Sequence, residues 1–504
     1  MRDTAGKMPA LPLKKWLLHL LSSDLRPPTS VLCPLSSDLP SLRYGHASQA
    51  SLSLLVANAP AAFCPLSSDL SSSTMLYADV TRLIYRHMGV SHHTGIDRVN
   101  LEYARWVHEQ GGGLCLRRGG EIKQLSRKAW GRLLLGSKQP GNVRHKRRRR
   151  IYLLLRSLIF RRSIPACSTL LVSTHSWLAH EKAWQWLAKR KCKVVVFIHD
   201  LIPIQFPEYS HPREKALHER RLDHTLRHSH GIIVNSRCTE SALRSYAERT
   251  GQPPPPILVA PLGHDFPTKS SSPLPLSIRG SYFVVLGTIE PRKNHLLLLT
   301  LWRDLAKRHG TNTPQLVVIG RRGWECEQVV DLLERCEAIH PHLVEINDAS
   351  DEQVVNLLAG ARALLMPSYA EGFGMPVQEA LAIGTPVIST PLPAIREFAG
   401  AIPDYAEPHD GTRWLELIEA YAKPHSPERE AQLQRLPAFR HHTWPEHFQR
   451  VEEFMESEVR GQRSEVGGQR AEDRRQKTED RSQKSEDRGQ NAAGALATSN
   501  ESEA

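Results

Sequence analysis

Short apolar runs of strand length alternate with helix-like segments along the middle of this chain, in two consecutive series. The first series occupies residues 75–275, and the second occupies residues 276–438. The strand-like runs lie at 168–175, 193–200 and 230–236, and then at 281–289, 315–320, 342–348, 361–368 and 385–390. Such alternation predicts parallel sheets with helices on both faces. The sequence therefore predicts an α/β fold of two tandem doubly wound, Rossmann-like domains that face a ligand cleft at the carboxyl ends of their strands.

The two ends of the chain differ from this pattern. Residues 1–74 contain LSSDL three times and show no sustained period, which predicts a low-complexity extension. Met75 opens the domain-like sequence MLYADVTRLIY, so a chain start at Met75 is an open alternative. Residues 458–504 carry a seven-residue repeat that is polar at nearly every position, whereas a coiled coil needs apolar a and d positions. This tail is predicted to be disordered, with an interaction tail as the alternative.

The cysteine pattern bears on the compartment and on metal binding. The eight cysteines are scattered, with no CxxC pair and no Cys/His cluster at metal-ligand spacing. That pattern favours a reducing compartment and argues against a zinc site or a disulfide framework. No apolar run approaches the ~18 residues that a membrane span needs. We therefore expect a cytoplasmic protein without a bound metal.

Basic residues are concentrated in residues 144–162, RHKRRRRIYLLLRSLIFRR, within a chain of net charge +13. Basic residues that flank an apolar helix favour peripheral contact with an anionic membrane, here on its cytoplasmic face. A solvated basic loop before a buried helix is the equal alternative. The run lacks interleaved aromatic residues and any zinc-finger or helix-turn-helix pattern, which argues against nucleic acid as a partner.

Two glutamates eight positions apart mark the most informative segment, which predicts a turn, a short helix and then a buried strand. Eight residues is a little over two helical turns, so Glu371 and Glu379 are predicted to lie on one side of the element. Gly372 and Gly374 expose backbone N–H groups where the helix begins, which favours an anion. Carboxylates beside an anion site can accept hydrogen bonds from hydroxyls, so the pattern predicts a nucleotide-sugar. The alternative is a polar loop with an exposed helical glutamate.

A pair of adjacent cations follows the first strand of the second domain. In GTIEPRKN, Gly287 permits a tight turn, and Arg292 and Lys293 then stand at the mouth of the sheet. Two cations there can neutralise a diphosphate, although a solvated basic turn is the alternative.

The first domain contributes two candidate positions. His199 ends the run KVVVFIHD, where its imidazole can bind a substrate hydroxyl or a developing charge, or else serve as a buried histidine bonded to backbone. In HHTGIDRV, residues 92–99, Gly95 lets the backbone approach a ligand and Arg98 can meet an anion. The alternative there is an ordinary loop before a helix, capped by Asp97.

Together these motifs resemble the group 1 glycosyltransferases of glycosyltransferase family 4, which have the GT-B fold. The likeness covers about Met75 to Met455. It is most specific in GTIEPRKN, in VVIGRRGW and in EGFGMPVQEALAIGTPVIST, with support from TGIDRV, FIHDLIP and IIVNSRCTESAL. Residues 439–457 include TWPEHFQRV, which resembles the family's closing helix that crosses back to the first domain. The resemblance implies a retaining hexosyltransferase that needs no metal or cofactor and that builds a cell-envelope polysaccharide.

The resemblance also implies a role for each site residue. Glu371 would engage the donor hexose at the catalytic centre, with His199 nearby. Glu379 would bind the ribose hydroxyls. The donor diphosphate would be held by a larger set: the backbone of Gly372, Phe373 and Gly374, with the side chains of Arg292 and Lys293. Thr288 belongs to this donor site too, at a position where many members have Arg.

The partners implied are a nucleotide-sugar and a glycan or lipid-linked acceptor. GDP-mannose is favoured over UDP- or ADP-sugars as the donor. The alternatives are a catalytically inactive GT-B protein that binds nucleotide-sugars or serves as a scaffold, and another sugar-phosphate enzyme on the same fold.

Overall fold

The structure is a computed structural model that describes residues 75–87, 94–126, 162–264 and 277–460. The predicted N-terminal extension, residues 1–74, lies outside the described residues. So do most of the basic run 144–162 and most of the repeat tail 458–504.

The first domain is built on a sheet of seven strands in the spatial order β3-β2-β1-β4-β5-β6-β7. The strands are β1 Leu76–Asp79, β2 Gly113–Arg118, β3 Glu121–Gln124, β4 Thr169–Val172, β5 Lys193–Ile198, β6 Gly231–Val234 and β7 Ile257–Val259. Neighbouring strands pair in parallel except for β2 and β3, which pair in antiparallel register. Central strands such as β4 and β6 are buried at every residue, because helices cover both faces of the sheet.

The antiparallel edge strand is a departure from the parallel sheet that the alternating pattern predicts. Gly119 and Gly120 form a two-residue turn between β2 and β3, and Gly119 has φ +63°. A Gly-Gly pair suits such a hairpin because the turn needs positive φ, which costs glycine little.

The second domain has six strands in the order β10-β9-β8-β11-β12-β13, all paired in parallel. The strands are β8 Tyr282–Leu286, β9 Gln315–Ile319, β10 Leu343–Ile346, β11 Leu364–Met366, β12 Val387–Ser389 and β13 Asp404–Tyr405. Counted from its own first strand, this order repeats the order of the first six strands of the other domain. In each sheet the first strands are added on one side of the first strand and the later ones on its other side. The strand order therefore switches between β1 and β4 and again between β8 and β11. These are the points where a doubly wound sheet opens a ligand crevice.

Helices cover both sheets. In the first domain they are α1 Thr81–His87, α2 Gly95–Glu109, α3 Glu181–Lys189, α4 Ile202–Gln205, α5 Glu214–His228 and α6 Arg237–Thr250. In the second domain they are α7 His295–His309, α8 Glu327–Arg335, α9 Asp351–Gly360, α10 Met375–Ile383, α11 Pro393–Ala399, α12 Gly411–Ala422 and α13 Pro427–Arg435. The predicted α/β fold of two doubly wound domains is confirmed.

A last helix, α14 Trp444–Phe454, returns the chain to the first domain. Phe448 stacks on Trp106 of α2 with ring centroids 4.9 Å apart. His447 lies 2.9 Å from the hydroxyl of Tyr103 through Nε2, and 2.9 Å from the carbonyl of Pro261 through Nδ1. The apolar side of α14 joins the core around β1 and α2, through Trp444, Phe448, Val451 and Phe454. The first domain's core is therefore completed by the segment that follows the second domain.

Candidate active site

Two loops at the crevice of the second domain lie side by side. Residues 287–294 follow β8, and residues 367–374 follow β11. The backbone N–H of Tyr369 donates to the carbonyl of Arg292 at 2.9 Å, which ties the loops together. Gly287 has φ +142°, and a Cβ built on it would lie 3.2 Å from Cε of Lys293. The glycine therefore lets the Lys293 side chain lie close along its own loop.

Glu371 is held between two cations. Nζ of Lys293 lies 2.7 Å from Oε1, and Nη1 of Arg292 lies 2.7 Å from Oε2. Only 8% of the Glu371 side chain is exposed, so burial opposes its ionisation. Arg292 and Lys293 outweigh that burial and lower the pKa of Glu371 from its ordinary 4.5 to about 2. Burial lowers the pKa of Lys293, while Glu371 opposes this shift.

Arg292 is engaged by protein groups on each nitrogen of its guanidinium. Nε and Nη2 donate to Oε1 of Glu290 at 3.0 and 2.6 Å. Nη1 also donates to the carbonyl of Ala370 at 2.6 Å, beside its contact with Glu371. Arg292 therefore supports the loop and the carboxylate. Lys293 is a buried cation, with 10% of its side chain exposed, whose ammonium contacts Glu371.

The two glutamates do not share one element, so the prediction that both lie on one side of it is wrong. Helix α10 begins only at Met375, after Gly374 at φ +97°, and Pro376 occupies its first turn. Proline favours the start of a helix, because the N–H that it lacks has no partner there. Glu371 consequently lies in the loop, and Glu379 lies within the helix.

Glu379 contacts the first domain. Its Oε1 lies 2.5 Å from Nη1 of Arg98, and 3% of its side chain is exposed. Burial raises the pKa of Glu379, although Arg98 opposes the shift. Arg98 thus contacts a carboxylate of the protein itself, and its contact with a ligand anion stays a prediction. The neighbouring Gly95 faces Met375, since a Cβ built on it would lie 3.3 Å from Sδ.

Asp97 anchors the turn that carries Arg98. Its Oδ2 accepts hydrogen bonds from the backbone N–H and the hydroxyl of Thr94, at 2.9 and 2.8 Å. Its Oδ1 accepts from Nε of Arg82 at 2.8 Å. Helix α2 therefore begins at Gly95, within the segment HHTGIDRV. Asp97, the third residue of the helix, caps its first turn together with Thr94, as the alternative interpretation of this segment predicts.

His199 follows β5 and is 5% exposed. Its Nε2 lies 2.9 Å from the carbonyl of Ser173. A carbonyl oxygen can only accept, so Nε2 carries the proton and Nδ1 is the acceptor of the neutral ring. Burial lowers the pKa of His199, although the Ser173 carbonyl opposes the shift, so the ring is neutral at pH 7. His199 is thus bonded to backbone and is also suited to accept a hydrogen bond from a hydroxyl.

The glycine loop of the second domain lies directly against the backbone of His199. A Cβ built on Gly372 would lie 2.4 Å from the His199 carbonyl oxygen. The hydroxyl of Ser236 donates to the Gly372 carbonyl at 3.0 Å, and Nδ2 of Asn235 donates to the His199 carbonyl at 2.9 Å. Asn235 and Ser236 therefore hold both sides of this contact. The sequence patterns predict no role for these two residues, although the available signal was the polar pair with which the buried run HGIIVNS ends.

Further contacts surround this junction. Tyr209 of the first domain stacks on Tyr369 of the second, with centroids 4.9 Å apart and planes at 11°. Glu397 on α11 accepts hydrogen bonds at 2.9 Å from the backbone N–H of Arg237, the first residue of α6. A carboxylate at a helix N-terminus is stabilised by the exposed N–H groups there. The two domains are thus in contact through loops, rings and a helix end.

Two other predicted donor residues occupy the edge of this site. The ring of Phe373 stacks on Phe398 with centroids 5.0 Å apart, so this side chain packs in the interior. Thr288 is half-buried, and a Cβ built on Gly323 would lie 2.9 Å from its methyl carbon. The loop after β9 therefore lies against Thr288.

We expect Gly372→Ala to disrupt the junction between the domains. The new methyl group would overlap the His199 carbonyl and Cβ of Asp200, where the built Cβ lies at 2.4 and 2.9 Å. Overpacking of this kind costs about 1 to 3 kcal/mol, so we expect a lower melting temperature and weaker donor binding. Thermal unfolding with and without nucleotide-sugar measures both effects.

Gly411→Ala is the matched control for this substitution. Its built Cβ meets side chains only at 3.7 and 3.8 Å, which is ordinary contact, and it lies at the start of α12. If both alanine variants unfold and bind alike, the loop contact at His199 does not matter for the site.

A metal-binding cluster and a membrane-spanning helix are both absent from the part of the chain that the structure describes. Within residues 75–87, 94–126, 162–264 and 277–460, no group of three or more His, Cys, Asp or Glu is arranged to hold a metal ion. In the same ranges, every helix is too short or too polar to cross a bilayer. A metal-free reaction stays a prediction.

Family comparisons match this architecture domain by domain. Residues 94–265 match the model described as Glycosyltransferase Family 4. Residues 273–401, which include both loops at the crevice of the second domain, match the model described as Glycosyl transferases group 1. The chain belongs to the group 1, family 4 glycosyltransferases. The family resemblance that the motifs of this glycosyltransferase predict is confirmed.

Relatives of known name include three mannosyltransferases. The serotype-specific mannosyltransferase WbdA of Escherichia coli is 28% identical over 252 residues, covering 45% of this chain and 30% of WbdA. The O-antigen chain mannosyltransferase B of Escherichia coli is 28% identical over 232 residues, covering 45% of this chain and 60% of that protein. The O-antigen chain mannosyltransferase RfbU of Salmonella typhimurium is 31% identical over 147 residues, covering 28% of this chain and 38% of RfbU. The chain thus spans less than two thirds of the length of each.

Among solved structures, HepE of Anabaena in complex with UDP-glucose superposes with a TM-score of 0.53 at 13% identity. The superposition covers 76% of this chain and all of HepE. It supports the GT-B fold of this glycosyltransferase.

Proposed function

We propose that this glycosyltransferase transfers a hexose, with mannose favoured, from a nucleotide-diphosphate sugar to a glycan or lipid-linked glycan acceptor. The observation that carries the proposal is the buried group of Glu371, Lys293 and Arg292 on two paired loops. One of these loops, through Gly372, lies against the backbone of His199. A carboxylate for sugar hydroxyls, a cation for phosphate and a neutral imidazole acceptor meet at one junction between the domains. The names of the three mannosyltransferase relatives support the choice of sugar and a role in O-antigen-like polysaccharide synthesis.

The proposed reaction retains the anomeric configuration of the sugar. The bond between the anomeric carbon and the donor's phosphate oxygen breaks, and the acceptor oxygen forms its bond to carbon on the same face. The departing phosphate oxygen takes the proton of the acceptor hydroxyl. Negative charge then grows on the diphosphate, where Lys293 and the N-terminal end of α10 stabilise it. Most of the rate enhancement would come from this stabilisation and from positioning.

In this proposal the side chains of the site divide the donor between them. Glu371 accepts hydrogen bonds from the hexose hydroxyls, and Arg292 with Lys293 keeps it ionised for that task. Glu379 accepts from the ribose hydroxyls. Arg292 has a supporting role here, since Glu290 and Ala370 already engage its guanidinium.

A panel of nucleotide-sugars tests the function. Calorimetry and thermal shift with GDP-mannose, UDP-glucose and ADP-glucose identify which donor binds, since a ligand raises apparent stability with its occupancy. Transfer to a mannose-terminated glycan, detected by mass spectrometry, then separates catalysis from binding. We expect GDP-mannose to bind and to donate mannose. Binding without transfer would favour the inactive scaffold, and no binding by any donor would contradict the proposal.

We expect His199→Ala to lower kcat/KM for transfer by about tenfold, the loss of one hydrogen bond to a hydroxyl. Burial lowers the pKa of His199, so its ring stays neutral as the pH falls through the ordinary histidine value of 6.5. The wild-type pH profile should therefore lack an acid limb from His199 at or above pH 6.5. His309→Ala, on the exposed end of α7, is the control. An acid limb near 6.5 that vanishes only in His199→Ala would contradict the neutral-acceptor role.

A further inference from the structure

One buried ion pair joins the two domains at the donor site. Glu379 lies on α10 of the second domain, and Arg98 lies in the first turn of α2 of the first domain. Nη1 of Arg98 is 2.5 Å from Oε1 of Glu379. The carboxylate side chain is 3% exposed and the guanidinium side chain is 31% exposed. The partner of the buried carboxylate is thus supplied by the opposite domain.

Other charged groups near this pair also influence the pKa of Glu379 or of Arg98. Asp351, the first residue of α9, favours protonation of Glu379, and Lys293 opposes it. Arg98 itself is influenced by Glu102 on its own helix, by Asp351 and by His264. Among these groups, Arg98 is the cation whose side chain directly contacts the Glu379 carboxylate. Because burial favours the protonated acid, Arg98 is the main group that keeps Glu379 ionised.

The local backbone holds Arg98 in this position. Thr94 and Asp97 form a capping box at the start of α2, and Arg82 binds the other oxygen of Asp97. Gly95 packs against Met375 at the start of α10, where a side chain would be in tight contact. The first turn of α2 therefore rests on the helix that carries Glu379. The guanidinium of Arg98 is therefore carried by a turn that Thr94, Asp97 and Arg82 hold in place.

We propose that Arg98 is a positioning residue for the donor nucleotide. It holds Glu379 ionised through Oε1 and turns Oε2 toward the ribose hydroxyls. The inference rests on the proposed function, in which Glu379 binds the ribose. It gives Arg98, which the sequence offered only as a residue that can meet an anion, a role on the donor side.

This arrangement makes donor affinity depend on contact between the domains. When the first turn of α2 moves away from α10, Glu379 loses the cation that offsets its burial. A protonated Glu379 can donate one hydrogen bond but no longer accepts from both hydroxyls of a ribose. Only the closed arrangement of the domains then binds the ribose tightly, and ribose binding in turn favours closure.

Nucleotide binding to four variants tests the inference. The variants are Arg98→Met, Arg98→Lys, Glu379→Gln and Arg244→Met, the last being a first-domain arginine paired with Glu240 within its own helix. The probes are GDP and 2′,3′-dideoxy-GDP, with UDP and its dideoxy analogue in parallel, measured by calorimetry from pH 5.5 to 8.5. Near-UV circular dichroism verifies that each variant is folded.

We expect Arg98→Met to weaken GDP binding about tenfold at pH 7.5 and further as the pH falls, because Glu379 then protonates more readily. The same variant should bind dideoxy-GDP like the wild type, since that probe has no ribose hydroxyls to lose. Arg98→Lys should recover part of the affinity, and Arg244→Met should bind both probes normally. If Arg98→Met fails to fold, the Lys variant and its pH profile carry the test.

The outcomes distinguish the inference from the function on which it rests. Wild-type GDP affinity in Glu379→Gln overturns the ribose assignment itself. Loss of affinity in Glu379→Gln with none in either Arg98 variant at any pH overturns the role of Arg98 and leaves the ribose assignment standing. Equal loss of GDP and dideoxy-GDP binding in Arg98→Met overturns it as well, because Arg98 then acts on the phosphates.

Discussion

Lys293→Ala is expected to lower turnover by about 100- to 1,000-fold while the protein stays folded. Nζ of Lys293 is 2.7 Å from Glu371, at the loop where the donor diphosphate is proposed to leave. In the transition state, negative charge moves onto that diphosphate, and a fixed cation in a buried site stabilises it strongly. Arg292 cannot replace it easily, because Glu290 and Ala370 already hold its guanidinium. Single-turnover kinetics with GDP-mannose measure the chemical step.

Lys307→Ala is the control for this prediction. Lys307 lies on α7 of the same domain, and its side chain is 68% exposed. Both variants should have wild-type circular dichroism spectra, and only Lys293→Ala should lose donor hydrolysis and transfer. Unchanged hydrolysis and transfer in Lys293→Ala would remove the diphosphate assignment of that lysine.

Glu371→Gln is expected to abolish most transfer and to destabilise the fold at neutral pH. The substitution leaves Arg292 and Lys293 close together without the anion that lies between them. Removing one partner of a buried charge pair costs about 3 to 5 kcal/mol. The amide also loses an acceptor oxygen for sugar hydroxyls. Denaturant unfolding at pH 7, together with transfer kinetics, measures the two effects separately.

The pH dependence of stability gives this prediction a second signature. The folded-state pKa of Glu371 is about 2, below the ordinary 4.5 of the unfolded chain. A lowered pKa stabilises the fold above pH 4.5, and that contribution is lost as the pH falls from about 4.5 through 2. The difference in unfolding free energy between wild type and Glu371→Gln should therefore shrink over this window. Glu416→Gln, at an exposed pair with Arg413, is the surface control for the amide substitution, and a constant difference for Glu371→Gln would contradict its lowered pKa.

The alternating pattern predicted both sheets because a parallel strand covered on both faces must be apolar along its length. Runs such as 193–200 and 315–320 correspond to β5 and β9 within one or two residues at each end. The hairpin of β2 and β3 was missed because each strand is short in apolar residues: β2 ends in two arginines and β3, EIKQ, has one apolar residue. The turn between them was signalled only by Gly119-Gly120.

Some residues of the candidate site could be predicted from the sequence, whereas the contacts between distant parts of the chain could not, for a physical reason. Lys293, Glu371 and Glu379 each follow a strand or lie on a helix that local pattern can locate. Pairing across the chain is different: 281 positions separate Arg98 from Glu379, and their contact depends on how one domain docks on the other. Docking of two domains has no local period. Asn235 and Ser236 were missed for the same reason, since their partners lie in other elements.

The return of α14 to the first domain has a consequence for biosynthesis. The core around β1 and α2 includes Trp444, Phe448, Val451 and Phe454, which are made some 370 residues after β1. Domains usually fold in order of synthesis, the N-terminal one first. Here the first domain leaves the ribosome with an open apolar groove, which stays exposed while the whole second domain is translated. The nascent chain therefore passes through an incompletely packed state that a chaperone can recognise, and a stop before residue 444 leaves the first domain without the helix that completes its core.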